Sequence, residues 1–555
     1  MKKELNSFEL AIKIIIKSKV KTLADLDSVK RKIAKKLKIS SPSNTQLLEA
    51  YHNLVKNKII KIDKNLEFIL RKRKIRSLSG IVIVSVLTKA YPCPGNCLYC
   101  PTQKGIPKSY LEKEPAVMRA ILNKFDPYLQ FQNRIQALEV NGHPTDKVDL
   151  RIIGATWSYY PKKYQTWFIR RCFEAANFKK SKTKKQKSKL DIKNKNLKEV
   201  QKENEKAKHR IIGITIETRP DYIDAKEIKR LRELGVTRVE LGVQSIYDKI
   251  LKINNRGHLI DKTILTTKLL KDAGFKVCYQ MMPNLPGSDL KHDQEMFKQL
   301  FQNQDFQPDL LKIYPCSVLK EAELYKLWKK GKYKSYTENE LKKLIKSIKK
   351  DIPYYVRIQR IIRDIPSFYI AGNTNELSNL RQVILQEIKK ENWRCKCIRC
   401  REVGMDYNPK EKLYLYRKDY NASNGKEIFL SYENKDQTKI YSLLRLRIPS
   451  IENRSLYSRP KTSIESESLY SDFPVLKDSA IIREIHTYGQ MIPIGKKSSS
   501  AQHKGLGKKL MKQAERIAKK EFGLSKIAVI SGIGVKPYYK KLGYTEKDTY
   551  MTKNI

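Results

Sequence analysis

The chain has 555 residues, with 114 Lys and Arg against 58 Asp and Glu, so its formal net charge is +56. Hydrophobic residues make up 40% of the chain, which is enough apolar material for large cores and excludes a mostly disordered or collagen-like protein. At about 150 residues per domain, the length predicts three or four domains.

The apolar runs and the cysteine pattern predict a soluble, cytoplasmic protein with no membrane contact. The longest runs, such as Ile81–Leu87, have the length of a strand and fall short of the about 20 residues that a bilayer requires. Lys13 and Lys17 interrupt the first apolar stretch, which therefore does not match a secretory signal. Six of the nine cysteines fall in two tight clusters, a spacing typical of metal ligands rather than of a disulfide framework.

The positive charge is dominated by Lys and is also compatible with a merely well-solvated surface. A field of this sign attracts phosphate backbones, with a steep salt dependence. We therefore favour nucleic acid over an acidic protein or a membrane as the partner.

Residues 1–75 are predicted to form a small basic helical module. Apolar residues recur at helical spacing in Leu23–Leu37 and Thr45–Ile60, and the module ends in the basic run Arg71–Arg76. Such a module fits docking of tRNA or another nucleic acid, and a solvated cap fits equally well.

Residues 76–390 alternate β-rich runs with helix-length segments such as Ala225–Leu234 and Asp261–Ala273. Runs that are apolar on both faces predict a parallel sheet of βα units, and hence a full or partial βα-barrel. Residues 178–209 interrupt this pattern with Lys, Asn, Gln and Glu, so we expect a mobile basic insertion or helical spike, either an RNA tether or a solvated loop. The predicted strands are Gly80–Thr88, Val148–Ile153, Arg210–Glu217, Thr237–Val243, Phe275–Met282 and Leu310–Tyr314.

Residues 391–404 are predicted to be a linker, and residues 405–555 a mixed α/β domain with antiparallel character. A helix is expected to begin near Gly507, and a Ser-rich loop occupies residues 450–472. The other predicted elements are strands Leu413–Arg417, Glu427–Tyr432, Ile440–Arg447, Ala480–Thr487 and Lys526–Ile530, and a short helix Pro537–Leu542.

The loop after the first predicted barrel strand carries Cys93, Cys97 and Cys100 in a Cx3CxxC pattern. Three thiolates at the carboxyl end of a strand can hold three irons of a 4Fe-4S cluster and leave the fourth iron without a protein ligand. A three-ligand zinc site and a chance arrangement are the alternatives. The spacing resembles the radical S-adenosylmethionine (SAM) enzymes, in which the open iron is chelated by the methionine moiety of SAM and reductive cleavage gives a 5′-deoxyadenosyl radical.

The ends of later strands fit the same resemblance. In that superfamily a glycine-rich turn after the second strand usually contacts the amino end of SAM, although Ala155 here stands where glycine is usual. Polar residues that end the following strands face the same mouth. The resemblance therefore implies a set of SAM-binding residues, which are Gly154, Ala155, Thr156, Glu217, Arg219 and Gln244.

A second motif lies at the head of the helix near residue 507. Successive glycines, Gly505 and Gly507, let the backbone approach a ligand, and free N–H groups at a helix N-terminus bind phosphate, here the pyrophosphate of coenzyme A. With the neighbouring strands and Gly534–Tyr544, the segment resembles the GNAT acetyltransferase fold. In that fold a tyrosine of the last helix commonly lies beside the thioester sulfur, which makes Tyr538 and Tyr539 candidates.

Further motifs join the two modules. Ile216–Asp221, Leu241–Ser245, Asn255–His258 and Ala528–Gly534 resemble the family of the Elongator catalytic subunit, the tRNA uridine carboxymethyltransferases, from about residue 75 to the end. The resemblance implies that a hydrogen atom is abstracted from the methyl group of acetyl-CoA and that the carbon radical adds to carbon 5 of the wobble uridine. Thioester hydrolysis then leaves a carboxymethyl group.

Site residues and partners follow from the same resemblance. The catalytic candidates are Lys147, Tyr538 and Tyr539. The residues that match acetyl-CoA contacts are Lys147, Glu484, Ile485, His486, Thr487, Gly505, Leu506, Gly507, Lys508 and Tyr539. The expected partners are tRNA, acetyl-CoA and an electron donor for the cluster, together with accessory subunits or self-association.

A third cysteine motif, Cys395, Cys397 and Cys400, lies at the junction of the barrel and the last domain. A CxCxxC pattern supplies three ligands of a structural zinc, which takes a fourth. Cys316, after the last predicted barrel strand, is the expected fourth ligand, because a bridge there would pin the domains together. A redox pair or free thiols are the alternatives.

Two other functions compete with the radical enzyme. One is a conventional lysine N-acetyltransferase, in which Glu484 is the general base, a tyrosine protonates the leaving thiolate, and the iron–sulfur module is structural. The other is a non-enzymatic RNA-binding scaffold.

Overall fold

The computed structural model describes residues 5–71, 79–178, 195–372, 379–404, 407–449, 469–489 and 505–555. Predicted features at residues 72–76, 179–194, 450–468 and 502–504 lie outside the described residues. The described chain forms an N-terminal helical module, a parallel seven-stranded sheet and a second seven-stranded sheet. None of the helices in these ranges combines the length and apolar character that crossing a bilayer requires.

The N-terminal module consists of four helices, as its periodicity predicts. Asn6, Thr22 and Ser43 each cap a helix N-terminus with a side-chain oxygen and a reciprocal capping box. The inward faces form a separate apolar core, and Thr45 Oγ1 lies 3.2 Å from Asn141 Oδ1 of the barrel. The helices are α1 (Ser7–Lys17), α2 (Leu23–Leu37), α3 (Asn44–Lys56) and α4 (Lys64–Leu70).

The first sheet is a partial βα-barrel. Its strands are β1 (Val82–Leu87), β2 (Lys147–Ile153), β3 (Arg210–Thr218), β4 (Arg238–Gln244), β5 (Lys276–Met281), β6 (Leu310–Ile313) and β8 (Arg357–Ile361). They lie in the order β1-β2-β3-β4-β5-β6-β8, and every neighbouring pair is parallel. The carboxyl ends of all seven strands therefore open at one mouth.

Helices cover the outer face of this sheet, and their apolar residues pack against it in one large core. A small pair, β7 (Val318–Leu319) and β9 (Ile370–Ala371), lies beside the mouth. The helices are α5 (Pro115–Leu122), α6 (Pro127–Val140), α7 (Lys162–Asn177), α8 (Leu197–Asn204), α9 (Ala225–Glu233), α10 (Asp248–Ile253), α11 (Ile260–Asp272), α12 (Leu290–Gln302), α13 (Leu324–Lys329), α14 (Glu338–Asp351) and α15 (Leu380–Lys390).

Residues 195–209 differ from the predicted basic insertion. Asn196 caps α8 with a capping box, and Val200 is buried in the barrel core. Asn204 is also buried and donates a hydrogen bond from Nδ2 to the carbonyl of His209, at 3.1 Å. Two apolar side chains, Val200 and the partly buried Leu197, and the hydrogen bonds of Asn204 thus anchor a segment whose composition is mostly polar.

The last domain is a second sheet with a long helix against one face. Its strands are β10 (Tyr414–Ala422), β11 (Gly425–Glu433), β12 (Ile440–Ile448), β13 (Ser479–Thr487), β14 (Lys526–Val529), β15 (Thr545–Lys547) and β16 (Tyr550–Asn554), and its helices are α17 (Leu506–Phe522) and α18 (Lys536–Lys540). The linker helix α16 (Ile398–Arg401) precedes it. The strand order is β10-β11-β12-β13-β14-β16-β15, with β13 and β14 parallel and the other pairs antiparallel.

The two sheets interlock through buried charges. Arg483 on β13 donates to both Asp309 of the barrel, at 2.9 Å from Nη1, and Glu427 on β11, at 3.0 Å. Arg447 on β12 donates to Asp272 of α11 at 2.7 Å. All five side chains are almost fully buried, so each charge depends on its partner across the interface.

Glycine allows the closest backbone approach between the two sheets. A Cβ atom on Gly532 would lie inside van der Waals contact with the carbonyl oxygen of Ile212 on β3. A Cβ atom on Gly534 would lie 2.6 Å from the Cβ atom of Arg210. The Ser-Gly-Ile-Gly segment that follows β14 therefore packs directly on the first sheet.

We expect Gly532→Ala to lower the free energy of unfolding by about 1–3 kcal/mol, because the added methyl group forces the two sheets apart. The φ of Gly532 is −71°, so alanine adopts this backbone without strain and the cost is steric. Ser531→Ala is the control, since it removes only a hydroxyl that donates to the Gly532 carbonyl at 2.8 Å. Urea unfolding measures both variants, and equal stability of the two would contradict the close approach.

Candidate active site

The cysteine loop follows β1 at the mouth of the barrel. Cys97 is buried, while Cys93 and Cys100 are partly exposed. Arg256 donates from Nη1 to Cys97 Sγ at 3.6 Å, and Cys93 Sγ lies 3.8 Å from Thr156 Oγ1. Cys93 and Cys97 are therefore each in contact with a residue of another loop at the barrel mouth.

A cavity of about 1440 Å³ occupies the mouth and includes all three cysteines in its lining. Five of the six predicted SAM-binding residues line it as well: Ala155, Thr156, Glu217, Arg219 and Gln244. The sixth, Gly154, lies directly before Ala155 with φ of +127°, and a Cβ atom there would clash with the Thr88 hydroxyl. The structure thus brings the predicted residues together at one site.

Unpartnered polar atoms indicate that this cavity is built for a polar ligand. Among the described residues, the lining atoms without a hydrogen-bond partner include Thr215 Oγ1, Thr218 Oγ1, Arg219 Nη1 and Gln244 Oε1. A buried polar atom left unsatisfied costs about 1–3 kcal/mol, which a ligand with donors and acceptors relieves. Burial, reinforced by the neighbouring Cys97, raises the pKa of the Cys100 thiol to about 12. Cationic iron would favour the thiolate, so the residues present fit a cluster with SAM.

The cavity is also lined by four residues that were not predicted from the sequence: Tyr110, Gln280, Lys312 and Arg363. The Glu217 carboxylate accepts hydrogen bonds from Tyr110 at 2.7 Å, Gln280 at 3.2 Å and Lys312 at 3.1 Å. Arg363 contacts the segment that carries Tyr110, because it donates to the Ser109 carbonyl at 2.7 Å. Lys312 and Arg363 carry no local sequence signal that could have identified them.

The second site is a notch between β13 and β14. The two strands pair only from Ser479 to Ile482 of β13, so from Glu484 to Thr487 β13 is paired with β12 but not with β14. Gly505, with φ of +68°, begins the neighbouring α17, and its free N–H groups favour an anion. A Cβ atom on Gly507 would lie 3.2 Å from Tyr538 Oη and 3.6 Å from Thr487 Oγ1. These predicted residues therefore lie together.

The two candidate tyrosines occupy different environments. Tyr538 is 40% exposed and its hydroxyl faces the start of α17. Tyr539 is buried in the core of the last domain and packs against Tyr544, with ring centroids of Tyr538 and Tyr539 5.2 Å apart. Burial raises the pKa of both hydroxyls. Their catalytic role stays a prediction.

Residues from the amino end of the barrel reach the notch. Lys276 at the start of β5 lies 3.3 Å from Glu484 Oε1, and Arg445 donates to Glu484 Oε2 at 2.9 Å. Burial raises the pKa of Glu484, but these two cations outweigh it and hold the pKa far below the ordinary value. The charge of Lys147, at the start of β2, acts on His486. The notch is thus shared by both sheets.

We expect the protein to lose stability as pH falls from about 6.5 to about 4, partly through His486. Burial lowers the pKa of His486 to about 4, against the opposing pull of Glu484. In this pH window His486 is protonated in the unfolded chain but not in the folded chain. The free energy of unfolding therefore falls by about 2–3 kcal/mol. His486→Phe preserves the ring contact with Tyr488, whose centroid lies 4.2 Å away, and should give a shallower pH profile. Identical urea-unfolding profiles would contradict this assignment.

The third cysteine motif forms a compact triad. The sulfurs of Cys395, Cys397 and Cys400 lie within 4.8 Å of one another, a spacing that one zinc ion can bridge. Lys349 Nζ lies 3.6 Å from Cys400 Sγ. The segment contacts both sheets: Ile398 N donates to Val356 O beside the barrel strand β8, and Val403 N donates to Ile440 O of β12, each at 3.0 Å.

Cys316 does not join this triad, which corrects the expected fourth ligand. It packs at the barrel mouth with Cys97, Leu285 and Tyr333, in a different apolar cluster from the triad. Tyr333 Oη donates to the Cys316 carbonyl at 3.4 Å. The loop after β6 turns toward the mouth, whereas the linker runs past the amino end of β8. Among the described residues, the group of converging ligands contains the three triad cysteines alone.

Family models divide the chain as the two sites do. The Radical SAM superfamily matches residues 90–300, and its C-terminal domain matches residues 308–390. The acetyltransferase (GNAT) domain matches residues 498–554. The cysteine loop and the notch therefore lie in, or directly beside, two recognised catalytic folds.

Similar proteins share both modules. A tRNA uridine(34) acetyltransferase of Methanocaldococcus infernus is 43% identical over 93% of this chain and 92% of its own length. Human Elongator complex protein 3 is 39% identical over 88% of this chain and 86% of its own length. The solved structure of the archaeal Methanocaldococcus infernus Elp3 with an N-terminal deletion is 41% identical, with a TM-score of 0.70 over 86% of this chain and 100% of that chain. The chain therefore belongs to the family of the tRNA uridine(34) acetyltransferases and Elongator complex protein 3.

Proposed function

We propose that this chain modifies uridine 34 of tRNA by joining the two-carbon unit of acetyl-CoA to carbon 5 of the base as a carboxymethyl group. The observation that carries the proposal is the placement of two reactive sites at opposite ends of one barrel. The cysteine loop lies at the carboxyl ends of the strands, and the notch meets their amino ends through Lys276. Relatives named tRNA uridine(34) acetyltransferase match 93% of the chain.

At the mouth, Cys93, Cys97 and Cys100 would hold a 4Fe-4S cluster. Such a cluster, with SAM bound, would supply a 5′-deoxyadenosyl radical. Arg256 would offset thiolate charge at Cys97. Arg219 Nη1 and Gln244 Oε1, which have no hydrogen-bond partner among the described residues, would be available to polar groups of SAM. The cavity of about 1440 Å³ leaves room for an extruded base beside the cofactor.

At the notch, the start of α17 would bind the pyrophosphate of acetyl-CoA, and the Tyr538 hydroxyl, which faces Gly507, would lie beside the thioester. Burial lowers the pKa of Lys147, while Asp146 opposes this shift. Lys147 would then orient the acetyl carbonyl from the barrel side. Across the same interface, Arg357 of the barrel donates a hydrogen bond to the Tyr488 hydroxyl at 3.2 Å.

Conventional lysine N-acetylation fits the notch less well. A general base works best when its pKa lies near the working pH. Glu484 is the acid that would serve, but both of its oxygens are engaged by Lys276 and Arg445, which keep its pKa far below that range. The arrangement favours binding of acetyl-CoA over deprotonation of an incoming amine.

The remaining parts of the proposal concern the linker and the partners. Cys395, Cys397 and Cys400 would hold a structural zinc, with the fourth ligand coming from outside the triad. An electron donor reduces the cluster, and accessory subunits or self-association complete the assembly. A cytoplasmic location follows from free thiols and a tRNA substrate.

The test is anaerobic reconstitution with iron and sulfide, followed by SAM, a reductant, acetyl-CoA and tRNA. Nucleoside mass spectrometry should detect carboxymethyluridine, and its formation should depend on both SAM and acetyl-CoA. Unmodified uridine together with acetylated protein lysines would overturn the proposal in favour of conventional acetyl transfer.

A further inference from the structure

Three exposed or half-exposed tyrosine rings lie on one side of the barrel mouth, beside the cysteine loop. Tyr91 lies two residues before Cys93, Tyr159 follows β2, and Tyr222 follows β3. We call Tyr91, Tyr159 and Tyr222 the rim tyrosines. All three follow the carboxyl ends of adjacent strands, so they lie side by side at the mouth of the barrel.

The rim tyrosines contact one another while keeping exposed surface. The ring centroids of Tyr91 and Tyr159 lie 5.9 Å apart, and those of Tyr159 and Tyr222 lie 5.5 Å apart in an edge-to-face arrangement. Tyr159 is 39% exposed, and the other two are half-buried. Within the described ranges, none of the three hydroxyl groups has a hydrogen-bond partner. A tyrosine that serves only core packing is normally buried, with its hydroxyl hydrogen-bonded. The rim tyrosines have neither property, so core packing does not explain their arrangement.

The inner neighbours of the rim tyrosines hold them rigidly. Tyr160 is buried and stacks on Tyr91, with centroids 4.9 Å apart and planes inclined by 29°. The Tyr160 hydroxyl donates to the Lys89 carbonyl at 2.8 Å. The exposed rings therefore form a pre-organised surface, which loses little conformational entropy when a ligand stacks on it.

Positive charge flanks the same rim. Lys89, Lys162 and Lys163 are exposed, and none of them takes part in an ion pair with a described residue. Lys89 Nζ lies 5.1 Å from the centroid of Tyr164, and the Arg219 guanidinium lies 5.9 Å from that of Tyr222. Arg219 is itself paired with Asp221 at 2.7 Å, so the cations open to a ligand are the lysines. Aromatic faces interleaved with exposed lysines are the combination that binds single-stranded RNA, in which bases stack and phosphates meet lysines.

We infer that the rim tyrosines are a stacking platform for the unpaired nucleotides that flank the base entering the mouth cavity. The occupant is the single-stranded loop of an RNA hairpin, and this inference rests on the proposed function. Duplex RNA presents no free base faces, so the platform selects loops over stems. Stacking on the rim would hold the neighbouring nucleotides while one base is extruded toward the cysteine loop.

The test measures the affinity of a fluorescein-labelled RNA hairpin with an anticodon-arm sequence for the full chain without cluster or cofactors. Tyr159→Ala should weaken the Kd about tenfold, which is within the loss expected for one stacked base. Tyr159→Phe should keep the wild-type Kd, because its ring still stacks. Tyr416→Ala removes a partly exposed tyrosine from the distant edge strand β10 and should bind as wild type. Lys89→Ala should lower the salt slope of binding by about 1.

A blunt RNA duplex of the same stem separates stacking from charge. Its affinity should be unchanged by Tyr159→Ala and reduced by Lys89→Ala. An unchanged hairpin Kd for Tyr159→Ala, or an equal loss on the duplex, would overturn the inference. If Tyr159→Ala instead slowed reduction of the cluster by a protein electron donor and left RNA affinity intact, the rim would be the donor's surface. Failure to form modified uridine with wild-type RNA affinity would count against the proposed function alone.

Discussion

Cys97→Ala should abolish iron–sulfur cluster assembly and, with it, all SAM cleavage and uridine modification. A loop with two cysteines cannot supply the three thiolates that a site-differentiated cluster requires. Cys97 is the most buried of the three and already accepts a hydrogen bond from Arg256. We expect iron content near zero per chain, no 5′-deoxyadenosine above background, and no carboxymethyluridine.

The matched control is Cys172→Ala. Cys172 is equally buried, but it lies in α7 within the barrel core and away from the cavity. This variant should keep wild-type iron content and lose at most about 1–2 kcal/mol of stability from the cavity that it leaves. Anaerobic iron assay and chromatography of SAM products measure both variants. A Cys97→Ala protein that still forms modified uridine would exclude the radical route.

The second large effect concerns stability. Asp309→Ala should lower the free energy of unfolding by about 3–5 kcal/mol, because it leaves buried arginines without their counter-charge. Asp309 pairs with Arg483 and Arg445 across the interface and accepts a hydrogen bond from Val277 N at 2.8 Å. The two cations overcome the effect of burial and lower the pKa of Asp309, so the carboxylate is ionised in the folded protein.

An exposed pair provides the comparison. Glu521 accepts from Arg417 at 2.7 Å on the surface, and Glu521→Ala should cost less than about 1 kcal/mol. Asp309→Asn retains an oxygen for Val277 and should fall between the two. Urea unfolding measures all three, and Asp309→Ala matching Glu521→Ala would show that the buried network contributes no more than a surface pair.

The barrel strands that face helices were readable from the sequence, because their outward residues are apolar. The strand β8 was missed, since its inward residues are polar: Gln359 Nε2 lies 3.4 Å from Glu240 Oε1 across the barrel. The interior is lined by charge that strand patterns do not anticipate. The hairpin of β15 and β16 was missed for a related reason, because all three residues of β15 are exposed.

In the candidate site too, the features within one segment were predicted from the sequence and the contacts between distant segments were not. Cysteine spacing and strand ends located the cavity, because consecutive residues on one loop stay together in any fold. Contacts between distant segments were harder to predict. Cys316 was assigned to the zinc triad because it is a spare thiol, but the direction of its loop depends on packing with Tyr333. The ion pairs of Glu484, which argue against its role as a base, join the two sheets and have no local signature.

In the proposed reaction, the cysteine loop at one end of the barrel and the acetyl-CoA notch at the other end act on the same acetyl group. The strand β2 has 7 residues, so about 20 Å separate its ends, and a shared reaction requires the acetyl group to move between them. The most direct measurement is the fate of deuterium from methyl-deuterated acetyl-CoA in the reconstituted enzyme with tRNA. We predict deuterium in 5′-deoxyadenosine and in the new side chain on uridine. Unlabelled 5′-deoxyadenosine, with all label retained in acetate or acetylated amines, would contradict the account.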